Sequence, residues 1–297
     1  MKKLIIFLLF VNITSAQYNL FARQNFAYKV TSIIDADAAA FLTAAGIPND
    51  GTVYYVGTAQ EITGEDMNTA IGNLVANLKL YGIWTHIKAF YPFIGGTAST
   101  HKYNLKNPVD SDAAFRLVFT NTPTQSSLGM QTNGSSSYAN TFLNPSTVFS
   151  DKAIAFGFYQ TVINTTTGTD RHFMGNWTNS STNFMSIQSQ EIGYTVLNFL
   201  NNANTQTLFN YEKFNTENSN TTNKSLTCGT TSYSYTTITG NFPNNSIFIG
   251  CINLAGAYYR GVNSTFGAAW IMTGLTDTQI GQLNTLVTAY QTELHRN

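Results

Sequence analysis

The chain has 297 residues, enough to bury one large core or two small ones. It is 43% hydrophobic and 13% aromatic but only 10% charged, against roughly 25% charged in an average soluble domain; Asn, Thr, Ser, Gly and Tyr make up the difference. Its 15 basic and 15 acidic residues leave no net charge, which excludes the basic field that nucleic acid or an anionic membrane would require, and the aromatic content excludes a disordered chain.

The first residues predict export. Met1-Lys2-Lys3 is a basic start, Leu4 to Val11 an unbroken apolar run, and Thr14 and Ala16 are small residues placed for cleavage, so residues 1–16 read as a signal peptide and Gln17 as the first mature residue. The run is too short to span a membrane, which takes about 20 apolar residues. Losing Lys2 and Lys3 takes two from 15 basic residues against 15 acidic ones, a mature charge of −2. Gln17 to Ser32 reads as an irregular lead. Asp35 then caps a helix over DADAAAFLTAA, which Gly46 and Pro48 end. Val53 to Val56 is strand-like. A second helix follows Thr63-Gly64-Glu65-Asp66, with an apolar stripe of Met67, Ile71, Leu74, Leu78 and Tyr81 and a stop at Gly82. Residues 17–86 are therefore expected to be mostly helical.

From Ile87 the period changes. The runs IKAFYPFI, AAFRLVFT, AIAFGFYQTVI, GYTVLNFL, QTLFNYEKF, TSYSYTTI, NSIFIGCI and TFGAAWIM are rich in the aromatic and β-branched residues that suit a pleated, half-buried surface, and Gly, Asn, Ser and Pro clusters separate them. Many short strands without intervening helices predict a two-sheet sandwich or barrel over residues 87–273. No 20- to 50-residue repeat is present. Residues 274–297 return to helix: Thr276 is the N-cap, Gln279 completes a capping box, Leu275 and Ile280 form a staple, and Leu283, Leu286, Val287, Tyr290 and Leu294 continue one apolar face that must pack on the sandwich.

Residues able to carry chemistry are few. His86, His101, His172 and His295 show no metal-ligand spacing and read as surface or turn residues. Cys228 and Cys251 could face each other across a hairpin as a disulfide in an exported chain, but Cys251 lies in an apolar run, and two free thiols are the favoured reading. There is no nucleophile elbow or phosphate loop. The acids between Ile87 and Met272 are Asp110, Asp112, Asp151, Asp170, Glu191, Glu212 and Glu217, with no glycosidase-type pair among them. Asp110 and Asp112 follow Pro108; they read as turn-capping residues, or alternatively as a calcium ligand pair, which is the one cofactor considered. Sugar rings stack on aromatics that have a polar handle nearby, which makes Tyr138, Trp177, Tyr258, Tyr259 and Arg260 the candidate carbohydrate-binding residues; their alternative is plain core or sheet packing. Nine N-x-S/T sequons, at Asn12, Asn133, Asn164, Asn176, Asn179, Asn220, Asn223, Asn244 and Asn263, follow from the Asn- and Thr-rich loops.

The segment FYPFIGGTASTHKYNLKNPVDSDAAFRLVF (Phe90 to Phe119), the segment around Tyr138 to Thr147, and the end IFIGCINL with FGAAWIMTGLTDTQIGQLNTLVTAYQTEL resemble a module of flavobacterial phage and prophage proteins. The resemblance runs from about Asp35 to the C-terminus, with Thr161 to Thr237 outside it. It implies a concanavalin A-like (laminin G-like) antiparallel β-sandwich, or jelly roll, closed by a C-terminal helix, on a virion surface or fibre, with no established enzyme activity and no catalytic residues to carry over. Virion proteins normally lack a signal peptide, so the N-terminus departs from that pattern. Together these features predict a non-enzymatic structural or adhesive protein of a virion or cell-surface assembly, whose partners are copies of itself, other assembly proteins and glycans. A secreted carbohydrate-binding module is the alternative, and a polysaccharide-degrading enzyme stands behind both.

Overall fold

The computed structural model describes residues 34–56, 61–163, 170–178, 183–191, 194–199, 209–210, 212–219, 223–236 and 240–296. The signal segment, the Gln17 start and the lead to Ser32 lie outside the described residues. Residues from Asp35 onward form a compact unit.

The helices begin and end where the sequence says. α1 (Ala36–Ala45) is capped by the Asp35 carboxylate, which accepts the Asp37 N–H at 2.9 Å, and stops on a left-handed Gly46. α2 (Gly64–Leu80) opens on a capping box: the Thr63 hydroxyl accepts the Asp66 N–H at 3.2 Å and the Asp66 carboxylate accepts the Thr63 N–H at 2.8 Å. Met67, Ile71, Leu74 and Leu78 are buried as expected. Tyr81 is not: the helix has already ended at Leu80 and the chain turns at Gly82, so the ring leaves the stripe and is 39% exposed. α3 (Ala98–His101) and α4 (Pro145–Val148) are single turns. α5 (Asp277–Glu293) carries the Thr276–Gln279 capping box and buries Ile280, Leu283, Leu286, Val287 and Tyr290.

The strands are, in chain order, β1 (Val53–Val56), β2 (Glu61–Thr63), β3 (Ile87–Tyr91), β4 (Val118–Thr120), β5 (Thr124–Ser126), β6 (Gly129–Gln131) and β7 (Tyr138–Asn140). Then come β8 (Ile154–Val162), β9 (Arg171–Trp177), β10 (Phe184–Glu191), β11 (Tyr194–Phe199), β12 (Phe209–Asn210) and β13 (Phe214–Ser219). The last are β14 (Asn223–Cys228), β15 (Thr231–Thr236), β16 (Phe248–Ile249), β17 (Ile252–Leu254), β18 (Ala257–Tyr259) and β19 (Thr265–Thr273). β1 and β2 pair alone. A nine-stranded sheet runs β12-β11-β10-β9-β16-β7-β4, with the β17–β18 hairpin joined to β9. An eight-stranded sheet runs β15-β14-β13-β8-β19-β6-β5, with β3 also on β19. Among the described strands, β17 on β9 is the parallel pairing and the rest are antiparallel.

Alternation along these strands sends one face of each sheet into a shared core. Phe158 of β8 stacks on Phe173 of β9 across the layers at 5.0 Å and meets Phe266 of β19 edge-on at 5.4 Å; Met130, Met185, Ile187 and Ile249 fill around them. The other face of the eight-stranded sheet presents Phe90, Trp270 and Phe214, stacked at 6.0 and 5.1 Å, and the Trp270 Nε1–H donates to the Thr216 hydroxyl at 3.1 Å. α5 is tied down near them. The Tyr290 hydroxyl donates to the Pro92 carbonyl at 2.9 Å, and the Asn218 amide bonds both the N–H and the carbonyl of Leu275. α2 joins α5 through Asn73 and Glu293 at 3.1 Å. The fold is thus the mainly-β antiparallel sandwich that the sequence predicts, with helices packed on it.

Two expectations need correction. IKAFYPFI ends as a strand at Tyr91, because Pro92 has no N–H to offer a ladder and Phe93 turns left-handed at φ 43°. AAFRLVFT is a short 3₁₀ turn and a left-handed Phe115 before β4 begins; the Asn104 amide, bonded to the Ala114 carbonyl at 3.0 Å, holds that turn. Of the two cysteine readings the structure holds the free thiols: Cys228 ends β14 in one sheet, Cys251 lies between β16 and β17 in the other, and both are buried. Burial pushes both thiols far above their usual range.

Candidate aromatic glycan site

The five carbohydrate-binding candidates, scattered over more than a hundred residues of sequence, are brought together on the nine-stranded sheet. Tyr138 comes from β7, Trp177 from the end of β9, and Tyr258 and Tyr259 from β18, which folds back on β17 beside β9. Tyr138 stacks on Phe248 of β16 at 4.4 Å and lies 6.2 Å from Tyr258. Tyr259 lies 6.1 Å from Trp177, and Trp177 meets Phe184 of β10 edge-on at 5.3 Å. The rings of Tyr138, Trp177, Phe184, Tyr258 and Tyr259 are half-buried, each with one side held by the sheet. They are strand residues at the sheet's surface rather than loop residues.

The cluster has a polar end. The Arg260 guanidinium lies 4.8 Å over the Tyr259 ring and pairs with the Asp170 carboxylate; both side chains stay more than 40% exposed. Arg260 is left-handed at φ 45°, and its carbonyl accepts the His172 N–H at 2.7 Å, which fixes the turn after β18 to β9. Gly261 follows because a Cβ there would meet the Gly250 carbonyl and the Tyr258 hydroxyl. The Gly261 N–H donates to that hydroxyl at 2.9 Å and so orients the Tyr258 ring. Burial raises the Tyr258 phenol.

His172 sits beneath this end, 2% exposed. Its Nδ1 is 2.9 Å from the Ser186 hydroxyl and its ring meets Phe184 edge-on at 5.8 Å. Burial, and then the neighbouring Arg171 charge, lowers it to about 3, so it is neutral beside Asp170. His101 is likewise 1% exposed. The expectation that each histidine is a surface or turn residue is therefore corrected at two of four positions, because aromatic packing and hydrogen bonds bury these rings. Phe248 and Phe184 belong to the site and are not among the sequence candidates, while His172 and Asp170 are named from sequence but given no part in it. Alternation in FMSIQSQE, which places Phe184 and Ser186 on one face, is the signal that could have found Phe184.

The calcium reading of Asp110 and Asp112 does not fit. Asp110 is paired with Lys102 at 2.5 Å and Arg116 at 3.3 Å, and Asp112 with Arg116 at 3.0 Å. The Lys102 hydrogen bond holds the Asp110 carboxyl below its usual range. Two cationic side chains occupy the place a calcium ion would need. Among the described residues no group of three or more His, Cys, Asp or Glu could hold a metal, and no helix is long and apolar enough to cross a membrane.

No protein-family model and no curated protein matches the chain. Solved structures do. Domain 4 of AbnA, a GH43 extracellular arabinanase from Geobacillus stearothermophilus solved with arabinotriose, is 12% identical at a TM-score of 0.44, over 68% of this chain and 98% of that one. The CBM40 of the Ruminococcus gnavus IT-sialidase is 9% identical at a TM-score of 0.33, over 44% of this chain and 80% of that one. The NanB sialidase of Streptococcus pneumoniae is 11% identical at a TM-score of 0.36, over 46% of this chain and only 25% of the longer sialidase chain.

Proposed function

We propose that this chain is a carbohydrate-binding β-sandwich that holds glycan without turning it over, exported and displayed at the surface of a virion or cell. The observation that carries the reading is the two pairs of half-buried rings, Tyr138 with Tyr258 and Tyr259 with Trp177, the second beside the Arg260–Asp170 pair. Sugar C–H faces stack on such rings, while phenol hydroxyls and an exposed guanidinium offer hydrogen bonds to sugar oxygens. Binding rather than catalysis is the reading because the carboxylate at this site, Asp170, is engaged by Arg260 and the histidine beneath is buried and neutral.

The test is affinity electrophoresis in gels containing bacterial capsular or algal polysaccharide, with reducing-sugar and unsaturated-product assays on the same samples. Retardation of the wild-type chain that is lost in Trp177→Ala and Tyr259→Ala supports the reading. Retardation unchanged in both variants overturns the site, and saturable product release replaces binding by an enzyme.

A further inference from the structure

The Arg260–Asp170 pair beside Tyr259 is only partly spent on itself. Its closest approach joins Arg260 Nη1 to Asp170 Oδ2, whereas a guanidinium has five N–H donors and a carboxylate about four lone-pair sites. Asp170 Oδ1 faces His172 Nε2 at 3.8 Å, too far for a hydrogen bond. Among the described residues neither side chain is hydrogen-bonded to a third residue, and the two are 44% and 43% exposed. N–H donors and an acceptor oxygen therefore stand side by side at the surface, where a ligand can reach them.

The backbone holds the two halves of the pair in place. Asp170 and Arg260 are both left-handed, at φ 56° and 45°. The His172 N–H donates to the Arg260 carbonyl at 2.7 Å, and a parallel bridge joins His172 to Gly261. The guanidinium also rests 4.8 Å over the Tyr259 ring. Groups held in this way lose little freedom when a ligand arrives.

Two adjacent sugar hydroxyls match such a pair. A hydroxyl both donates and accepts, so one can donate to Asp170 Oδ1 while its neighbour accepts from Arg260; a lone hydroxyl leaves one half of the pair unmet. Equatorial hydroxyls suit the arrangement, since they lie in the plane of the sugar ring and so at the rim of a ring stacked on an aromatic side chain. We propose that the Arg260–Asp170 pair recognises two adjacent equatorial hydroxyls of a pyranose, which makes a glycan with unsubstituted vicinal hydroxyls the ligand class of this site. The hydroxyl pairing follows from the donors and the acceptor; the sugar rests on the glycan-binding reading.

The experiment is affinity electrophoresis of the whole chain in gels containing linear β-1,6-glucan, whose residues keep three adjacent equatorial hydroxyls, or linear β-1,3-glucan, whose internal residues keep none adjacent. Both are uncharged, so Arg171, whose charge reaches His172 and Tyr258, does not enter the comparison. β-1,6-Glucan should bind at least about tenfold more tightly, the effect of one hydrogen bond to a charged group. Arg260→Gly and Asp170→Gly should each close that gap and leave β-1,3-glucan retardation as it was. Glycine suits both left-handed positions, so both variants should stay folded, which a thermal melt checks, and either one alone suffices for the test. Trp177→Ala should instead weaken both glucans alike. Equal retardation by the two glucans, or a gap that survives the glycine variants, overturns the proposal and leaves the glycan reading intact. Retardation by capsular or algal polysaccharide without retardation by β-1,6-glucan does the same. Retardation by no polysaccharide at all overturns both.

Discussion

The eight-stranded sheet presents Phe90, Phe214 and Trp270 away from the shared core, and the nine-stranded sheet presents Tyr138, Trp177, Tyr258 and Tyr259. The first set is fully buried, with rings stacked within 25° of parallel and the indole N–H spent on Thr216. In the second, Tyr138–Tyr258 and Tyr259–Trp177 are tilted at 38° and 55°, the rings are half-buried, and an exposed cation closes one end. α5 accounts for the difference. An apolar helix face must be covered, and among the described residues α5 is bonded to the eight-stranded sheet through Leu275, Tyr290 and Asn284. Aromatic content therefore does two jobs in one chain, and whether a helix covers the rings separates them.

The largest expected effects lie on the covered side. Leu283 of α5 is fully buried, and Leu283→Asp should cost about 4 kcal/mol or more, since it removes apolar packing and leaves an unpaired carboxylate in its place. Trp270→Ala should cost about 3–5 kcal/mol. Both are read from urea unfolding midpoints. An unchanged midpoint for Leu283→Asp would mean that α5 is not the cover this comparison requires.

The buried histidines come next. His101 and His172 are lowered to about 3 in the folded chain, from an ordinary 6.5. A lowered folded value means that the unfolded chain binds the proton more readily, so the stabilising contribution is complete above about pH 6.5 and drains away as pH falls towards 3. Each ring should contribute a slope of about 1.4 kcal/mol per pH unit inside that window. Unfolding measured from pH 7 to pH 4 should steepen accordingly, and His172→Gln should flatten the curve by one histidine's share. A curve unaltered by that substitution would show that His172 is not held neutral.

On the open side the expected effect moves from stability to binding. Trp177→Ala should change stability by about 1 kcal/mol or less. It should weaken glycan binding at least about tenfold, as loss of a central aromatic contact does. A large loss of stability would instead place Trp177 with the covered rings and remove the distinction between the two faces.

How much of this could be read in the sequence follows the same division. Covered elements announce themselves through periodicity and caps. Asp35, Thr63 and Thr276 start their helices as predicted, and the apolar runs AIAFGFYQTVI and TFGAAWIM become β8 and β19, nearly all buried. The open sheet is harder to read. RHFMGNW and FMSIQSQE form β9 and β10, yet they carry His172, Asn176 and Ser186, so the alternation is diluted by polar groups buried through hydrogen bonds. The five candidate residues were legible by type and by their polar neighbours. Their convergence was not, since it depends on β18 folding back beside β9, and neither was Phe248 as the ring beneath Tyr138. Arg116 four residues after Asp112 was available as an ion pair from spacing, whereas Lys102 with Asp110 needs the fold.

That last pair carries the smallest predicted effect and a clear outcome. Asp110 and Asp112 are about half exposed and their carboxylates face Lys102 and Arg116. Exposed ion pairs add little to stability because water already solvates both partners and salt screens the attraction. Asp112→Asn keeps the shape and an oxygen acceptor for the Arg116 N–H, so its melting temperature should be indistinguishable from that of the wild-type chain. A calcium ion would have to displace two cations held at hydrogen-bonding distance, and it would gain only these two carboxylates in return, against the six to eight oxygen ligands it prefers. Added calcium should therefore leave the melting temperature of both proteins unchanged. A calcium-dependent rise in the wild-type chain that Asp112→Asn abolishes would show that the loop opens and rebuilds around the ion. It would also return the calcium reading to the edge of the sandwich, where Lys102 and Arg116 would have to give up Asp110 and Asp112 to the ion.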